Sequence, residues 1–288
     1  MIPGIMAAQM RVASGDGTLW TPLNMATVPQ IYLDAQDSTV TDVSGFASAI
    51  SNLGGMGSDG NFSQGTAGNR PAILSAELNG KRVLSFDGTN DALRGGSVAQ
   101  KNLFRNVGAA WVFYVVKKRL IDASPTSRYM LFSVSGASTD RFISAAGSTA
   151  TGNANTPRFF ARRTDGGATG ILAAGSVVQG YYSLQLHAVD FVSREGVIYL
   201  DGLSAVSNPT LIDTSGNTTD TASAADIFLG TSNAGSGPAD IDLAAVVISN
   251  TAPSAADIDK LFGWAAHKYG LTANLPGGHP YKTTAPTV

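Results

Sequence analysis

The sequence predicts an all-β protein: a two-sheet antiparallel β-sandwich with one C-terminal helix and an extended N-terminal arm. Short runs rich in Val, Ile, Phe and Tyr alternate with clusters of Gly, Asn, Asp and Ser, which is the pattern of strands and turns. Two runs are close enough to form a hairpin, and only one segment has clear helical spacing. Closely spaced strands without helices between them favour an antiparallel sandwich over a parallel α/β sheet.

The chain divides into an arm, a sandwich and a tail. Residues 1–29 contain Pro3, Pro22 and Pro29 without sustained periodicity, which is typical of an extended segment. We assign 1–29 to an N-terminal anchoring arm, 30–273 to the sandwich with its closing helix at about 254–269, and 274–288 to a C-terminal tail.

Eight segments are predicted to be strands of the sandwich. Each is rich in β-branched or aromatic residues and is bounded by turn residues. They are residues 82–86, 110–117, 128–134, 158–162, 181–191, 196–200, 226–229 and 241–249.

A hairpin is predicted from the fifth and sixth of these segments. Alternation runs through residues 182–191, and after Ser193-Arg194-Glu195-Gly196 a second strand ends at Asp201-Gly202. A four-residue connection that contains glycine suits an antiparallel pair.

One helix is predicted near the C-terminus. Ser254 stands three residues before Asp257, which places a hydroxyl cap and a first-turn carboxylate at the free N–H groups. Gly270 offers a stop at the other end. The apolar face expected to lie on the sandwich consists of Ile258, Leu261, Phe262 and Ala265.

Composition excludes several classes of function. The 288 residues include 19 Lys and Arg, 21 Asp and Glu, and no cysteine, for a net charge of −2. A nucleic-acid partner is not expected, because it would require a basic stripe. Disulfides and thiolate metal sites are excluded by the absence of cysteine. Membrane insertion and classical export are not expected, because no apolar run approaches the roughly 18 residues of a membrane span and no basic region opens a signal peptide.

No catalytic constellation is apparent, and we predict that the protein is not an enzyme. The two glutamates, Glu77 and Glu195, are too far apart for the paired carboxylates of sandwich glycosidases. Neither a G-x-S-x-G serine nor a histidine pair with metal spacing is present. The closest substitute is Asp240 with Asp242, which alternation places on one face of a strand. A glycan hydrolase that uses these two residues is therefore an alternative, and a solvated strand entry is the simpler interpretation.

Calcium is the cofactor that the sequence leaves open. Carboxylate and amide oxygens are abundant in its Asp- and Asn-rich loops, and these are the ligands that calcium prefers. Asp87, Asn90 and Asp91 form one candidate set, and Asp240 and Asp242 form another. The alternative is turn chemistry, in which such side chains bind their own backbone.

Four aromatic residues are candidates for carbohydrate binding. Tyr181, Tyr182, Phe159 and Phe160 lie close to predicted strand ends, where exposed rings would stack on sugar faces. The alternative is that these rings belong to the core.

Several segments resemble laminin-G-like, concanavalin A-like jelly-roll domains. Residues 81–93, KRVLSFDGTNDAL, are similar to the family segment V-x-F-D-G-x-x-D-x-L, and VIYLDG at 197–202 is similar to its v-Y-v-D-G strand end. Residues 227–230 and 241–248 resemble its penultimate strands. Residues 263–282 resemble the tail G-Y-L-A-H-K-W-G-L-x-x-x-L-P-x-x-H-P-Y of many bacterial and phage members.

The chain departs from this family at two places. Ala245 stands where the family often has Glu, and the early W-x-D-x-S-G motif is eroded to residues 46–53. Both losses weaken the carbohydrate or metal binding that the resemblance implies.

The resemblance extends to virion structural proteins of tailed bacteriophages. The opening Met1-Ile2-Pro3-Gly4-Ile5 and the later Leu19-Trp20-Thr21-Pro22 resemble the start of such proteins. The implied function is a decoration protein, head fibre or tail-associated spike on the virion surface, assembled in the bacterial cytoplasm and anchored to other virion proteins through its arm. A homo-oligomer is the default expectation. A carbohydrate-binding adhesin that recognises a host surface glycan is the alternative function.

Overall fold

The computed structural model describes residues 17–119, 129–133, 142–145, 156–175, 177–219, 226–232 and 237–288. Within these ranges the two α-helices are α1 (Val98–Lys101) and α2 (Ala255–Tyr269). The strands are β1 (Ile31–Asp34), β2 (Val40–Val43), β3 (Phe46–Ile50), β4 (Phe62–Ser63), β5 (Ala72–Leu78), β6 (Lys81–Asp87), β7 (Leu93–Gly95), β8 (Ala109–Lys118), β9 (Tyr129–Ser133), β10 (Phe142–Ala145), β11 (Arg158–Ala161), β12 (Gly170–Ala173), β13 (Tyr182–Asp190), β14 (Glu195–Leu200), β15 (Leu203–Asn208), β16 (Ile227–Leu229) and β17 (Asp240–Ser249).

These strands form two antiparallel layers. The first layer, the large sheet, has the order β15–β14–β13–β8–β17, and β1 and β6 share the outer edge of β17. The second layer, the small sheet, has the order β7–β16–β9–β10–β11–β12. Strands β3, β4 and β5 connect the layers along one edge. The predicted two-sheet sandwich with a C-terminal helix is therefore confirmed.

All eight predicted strand segments contain a strand, although residues 128 and 134 of one segment lie outside the described residues. Strands such as β1, β2 and β15 were not predicted. Strand β15 is largely exposed, and its sequence, LSAVSN, has neither a sustained apolar run nor a regular alternation over its whole length that would mark a strand.

Strand β8 is buried along nearly its whole length, because both faces of the large sheet are covered. Val112 and Val116 belong to the core between the sheets. Trp111 and Phe113, which point the opposite way, belong to a second apolar cluster beneath α2. A strand covered on both faces reads as a continuous apolar run, and this is what the sequence of β8 shows.

Helix α2 begins and ends where the sequence predicts. The backbone N–H of Asp257 donates to Ser254 Oγ at 3.1 Å, and Gly270 closes the helix with a φ of 69°. The Phe262 ring meets Phe113 edge to face, with ring centroids 5.2 Å apart. Neither helix in the described part of the chain is long and apolar enough to span a membrane.

The second half of the predicted arm packs against the domain. Trp20 and Met25 are buried in the cluster beneath α2, where their apolar side chains pack with residues of the large sheet. The first half of the predicted arm, residues 1–16, lies outside the described residues.

The two ends of the described chain pair with each other. Leu19 forms an isolated antiparallel bridge with Thr287, and the backbone N–H of Trp20 donates to the Pro286 carbonyl at 3.0 Å. In the predicted tail, Leu275 is buried in the cluster beneath α2. The tail therefore forms part of the folded domain.

Candidate functional site

A groove of about 460 Å³ opens at the end of the large sheet where β13 begins and β14 ends. It brings together two of the predicted aromatic residues and two polar residues from distant parts of the chain. Its described lining consists of Val177, Val178, Tyr181, Tyr182, Ser183, Leu200, Asp201 and Asn274.

The two tyrosines of the groove have different environments. Tyr181 is 71% exposed and directly follows Gly180, whose φ of 78° lies in the left-handed region that favours glycine. Tyr182 is half-buried, and Lys117 Nζ lies 5.1 Å from the centre of its ring. Its hydroxyl is buried without a partner among the described residues. Tyr181 therefore offers an open ring face, whereas Tyr182 forms the floor.

Asp201 and Asn274 form the polar side of the groove. Asp201 Oδ1 accepts from the Leu184 N–H at 2.9 Å and from Asn274 Nδ2 at 3.3 Å. Asn274 Nδ2 also donates to the Tyr182 carbonyl at 2.8 Å. Burial raises the pKa of Asp201, although these two donors lower it in part. The second carboxylate oxygen has no hydrogen-bond partner in the described part of the chain, so it is available to a ligand.

Sequence reasoning did not select Asp201 or Asn274 as site residues. Asp201 adopts a φ of 51° in the Asp-Gly turn that follows β14. This Asp-Gly pair is the one sequence feature that could have indicated a polar side chain at this end of the sheet. Asn274 lies in the tail, and no local pattern connects it with Tyr182, which is 92 positions earlier in the chain.

A group of ion pairs lies beside Tyr182 on the outer face of the large sheet, which is the face turned away from the small sheet and covered further along by α2. This charge cluster consists of Glu77, Lys117, Arg119, Asp240 and Asp242. Lys117 Nζ lies 2.7 Å from Asp242 Oδ2 and also contacts Glu77, while Arg119 Nε lies 2.7 Å from Asp240 Oδ1. Asp242 is almost fully buried. Both predicted β17 aspartates are therefore paired with cations.

The electrostatics of the charge cluster combine burial with pairing. Burial lowers the pKa of Lys117, but the carboxylates of Asp242 and Glu77 outweigh this effect and raise it above its ordinary value. Burial raises the pKa of Asp240, and neighbouring Arg119 counteracts this shift only in part. Because the carboxylates are already paired with Lys117 and Arg119, a metal ion would have to compete with these cations for the same oxygens.

In the first candidate calcium set, the carboxylates of Asp87 and Asp91 bind the backbone of their own turn. Asp87 Oδ1 accepts from the N–H groups of Thr89 and Asn90 at 2.8 and 3.2 Å, and Asp91 Oδ2 accepts from the Asp87 N–H at 2.9 Å. These are turn contacts. Burial raises the pKa of Asp91 to about 6. Among the described residues, no group of three or more His, Asp or Glu is placed to hold a metal ion.

The two predicted phenylalanines lie outside the groove. Phe159 is fully buried and stacks on Phe142 with ring centroids 5.4 Å apart, so its prediction as a sugar-stacking residue is wrong. The alternation of β11 turns its side chain into the core. Phe160 is half-buried, and the Arg158 guanidinium lies 4.3 Å from the centre of its ring.

A polar group lies inside the sandwich, on the opposite face of β13 from Tyr182. His187 is fully buried, and its Nδ1 lies 2.7 Å from Ser144 Oγ. Its Nε2 has no hydrogen-bond partner in the described part of the chain. Burial lowers the pKa of His187 to about 3, so the imidazole is neutral at physiological pH.

Comparison with solved structures identifies the fold. No family model and no curated protein matches the chain. The botulinum neurotoxin serotype G binding domain is similar with a TM-score of 0.51 and 9% identity, over 81% of this chain and 50% of that chain. The serotype D ligand binding domain, solved in complex with N-acetylneuraminic acid, gives a TM-score of 0.51, 9% identity and the same coverages. This chain thus spans about half the length of those structures, and the likeness shows a concanavalin A-like sandwich.

Proposed function

We propose that the protein is a carbohydrate-binding, lectin-like module that attaches to glycans at a cell surface. The observation that carries the proposal is the groove in which the open ring of Tyr181 stands near the carboxylate of Asp201 and the amide of Asn274. The sandwich fold supports it, since a domain of similar fold has been solved with a bound sugar acid.

The groove offers the two kinds of contact that a sugar requires. The C–H face of a pyranose ring stacks on an exposed aromatic ring such as Tyr181. Sugar hydroxyls donate to a carboxylate oxygen, and hydrogen bonds to a charged acceptor are stronger than neutral ones. A few polar groups within a largely apolar groove are typical of small-molecule binding sites.

A binding function without turnover fits the β17 carboxylates. Asp240 and Asp242 would be the acid and nucleophile of the alternative hydrolase, and each is engaged by Arg119 or Lys117. We therefore propose a non-enzymatic module. The alternative is tested by incubating the protein with bound glycans. Turnover that is lost in Asp240→Asn/Asp242→Asn would contradict the proposal.

The place of this module is proposed from sequence resemblance. The phage-like opening and the 263–282 tail support a virion surface protein, assembled in the bacterial cytoplasm and anchored to capsid or tail proteins as a homo-oligomer. Deletion of residues 1–16 tests the anchor, because Trp20 and Met25 lie in the core and must be kept. The shortened chain should fold but fail to join particles, and normal incorporation would contradict this role.

The carbohydrate-binding function is tested on a glycan array with the full chain and two variants. Tyr181→Ala removes the open ring, and we expect at least about a tenfold loss of affinity, which is roughly 1.4 kcal/mol. Phe46→Ala is the matched control, because Phe46 is 46% exposed and does not line the groove. The absence of binding to every glycan, or an equal loss in both variants, would contradict the proposed function.

A further inference from the structure

The groove carries one carboxylate and no basic side chain among its described lining residues. Asp201 is that carboxylate, and it contacts only neutral donors, the Leu184 N–H and the Asn274 amide. Its negative charge is therefore not compensated by an ion pair within the described lining.

Two cations near the groove are already engaged within the described part of the chain. Lys117, which lies over the Tyr182 ring, is held between the carboxylates of Glu77 and Asp242. Lys282 lies beside Asn274 in the tail. Its Nζ donates to the carbonyls of Thr272, Ala273 and Leu275 at 2.7, 3.1 and 2.5 Å. An ammonium group has three donors, so Lys282 has none left for a ligand.

The charge next to the groove is also negative. In the charge cluster the two cations Lys117 and Arg119 face three carboxylates. The same excess of negative charge acts on the Tyr182 hydroxyl. Burial raises the pKa of this hydroxyl, and the carboxylates of Asp242 and Glu77 raise it further, while Arg119 lowers it by a smaller amount. An anionic ligand in the groove would meet like charges on two sides, which weakens binding.

We propose, on the basis of the carbohydrate-binding function above, that this groove selects uncharged sugar units and rejects sialylated and other anionic ones. The neutral sugar stacks on Tyr181 and donates a hydroxyl to the free oxygen of Asp201. The ligand class thus differs from that of the serotype D domain, whose solved complex holds N-acetylneuraminic acid.

The experiment measures affinities of the full chain for pairs of oligosaccharides that differ only in a terminal sialic acid, lactose and sialyllactose among them. We expect each neutral member to bind at least about tenfold more tightly. Its affinity should be nearly the same at low and high salt, because a neutral ligand forms no ion pair that salt could screen.

Two variants make the test specific. Asp201→Asn keeps the size of the side chain and tolerates the left-handed turn. The amide oxygen can keep the contacts of Oδ1, but an NH2 group replaces the free carboxylate oxygen and the negative charge is lost, so binding of the neutral ligand should weaken severalfold. Val178→Lys places a cation on a side chain that lines the groove and is 66% exposed. It should strengthen binding of the sialylated ligand at least about fivefold relative to its neutral partner, because the new cation pairs with the sialic acid carboxylate.

The outcomes separate this proposal from the function on which it rests. Tighter binding of the sialylated member, strengthened again by Asp201→Asn, would overturn the neutral-sugar proposal and leave carbohydrate binding standing. Failure of the full chain and the Val178→Lys variant to bind any glycan of either class would overturn both. Thermal unfolding of each variant shows that a changed affinity does not reflect a failure to fold.

Discussion

The outer face of the large sheet has two ends that differ in character, although the same three strands form both. At one end Phe113 of β8 pairs with Leu186 of β13 and Val247 of β17, and α2 covers this apolar row. Four residues further along, Lys117 pairs with Tyr182 and Asp242, and the row lies at the charge cluster and the groove. The first end, which we call the covered end, is stabilised by the packing of α2. The second, which we call the open end, has no helix over it and can contact a ligand.

The largest expected effect lies at the covered end. Phe262→Ala removes a fully buried ring that packs edge to face on Phe113, and we expect the free energy of unfolding to fall by about 4 kcal/mol. Urea denaturation followed by tryptophan fluorescence measures it. A loss below about 1 kcal/mol would show that the helix contributes little, and the proposed division between the two ends would be wrong.

The second-largest expected effect concerns His187, which lies in the interior of the sandwich and not on the outer face. The folded-state pKa of His187 is about 3, below its ordinary value of 6.5. Between these values the unfolded chain binds a proton that the folded chain does not, so stability is lost as the pH falls below about 6.5. The loss from this residue reaches about 3 kcal/mol near pH 4.

His187→Gln is the variant that isolates this acid sensitivity. Its stability should fall less steeply between about pH 6.5 and pH 4 than that of the natural chain, as measured by urea denaturation at each pH. Asp91, whose pKa burial raises to about 6, has the opposite sign of effect but acts equally in both proteins. Parallel pH profiles would instead assign the acid sensitivity to groups other than His187.

The third effect tests the open end itself. Lys117→Met leaves the nearly buried Asp242 with Arg119 at 3.6 Å, and we expect a loss of about 2 kcal/mol because a buried charge loses its closest partner. Adding Asp242→Leu should restore most of the stability, since the charge is then removed as well. A double variant as unstable as the single one would show that packing, rather than charge, dominates there.

The smallest effect should come from the exposed ring of the groove. Tyr181→Ala should change the free energy of unfolding by less than about 0.5 kcal/mol, because the residue is 71% exposed. Thermal unfolding beside glycan affinity checks it. A loss of stability as large as that of Phe262→Ala would remove the distinction between the two ends.

Local sequence patterns were sufficient to predict the elements of the covered end. Helix α2 carries its cap at Ser254, its apolar spacing and its glycine stop within 17 consecutive residues. Strand β8 is a continuous apolar run because both of its faces are covered. In each case the deciding interactions lie within the segment itself or depend only on how apolar it is.

The open end could not be predicted in the same way, because its residues meet through long-range pairing. Lys117 reaches Asp242 only through the pairing of β8 with β17, which is not encoded by any neighbouring residue. Asn274 enters the groove from the tail. Phe159 and Phe160 are adjacent, so only the register of β11 in the small sheet decides which ring is buried.

The pairing of the two chain ends has a mechanical consequence. The Val288 N–H donates to the Thr18 carbonyl at 3.0 Å, next to the bridge between Leu19 and Thr287, so the two ends of the described chain lie side by side. A pulling force applied between them would load these bonds one after another, as in a zipper, rather than all together. We expect the tie between the ends to open at low force while the sandwich, whose strands are held by full ladders, stays closed.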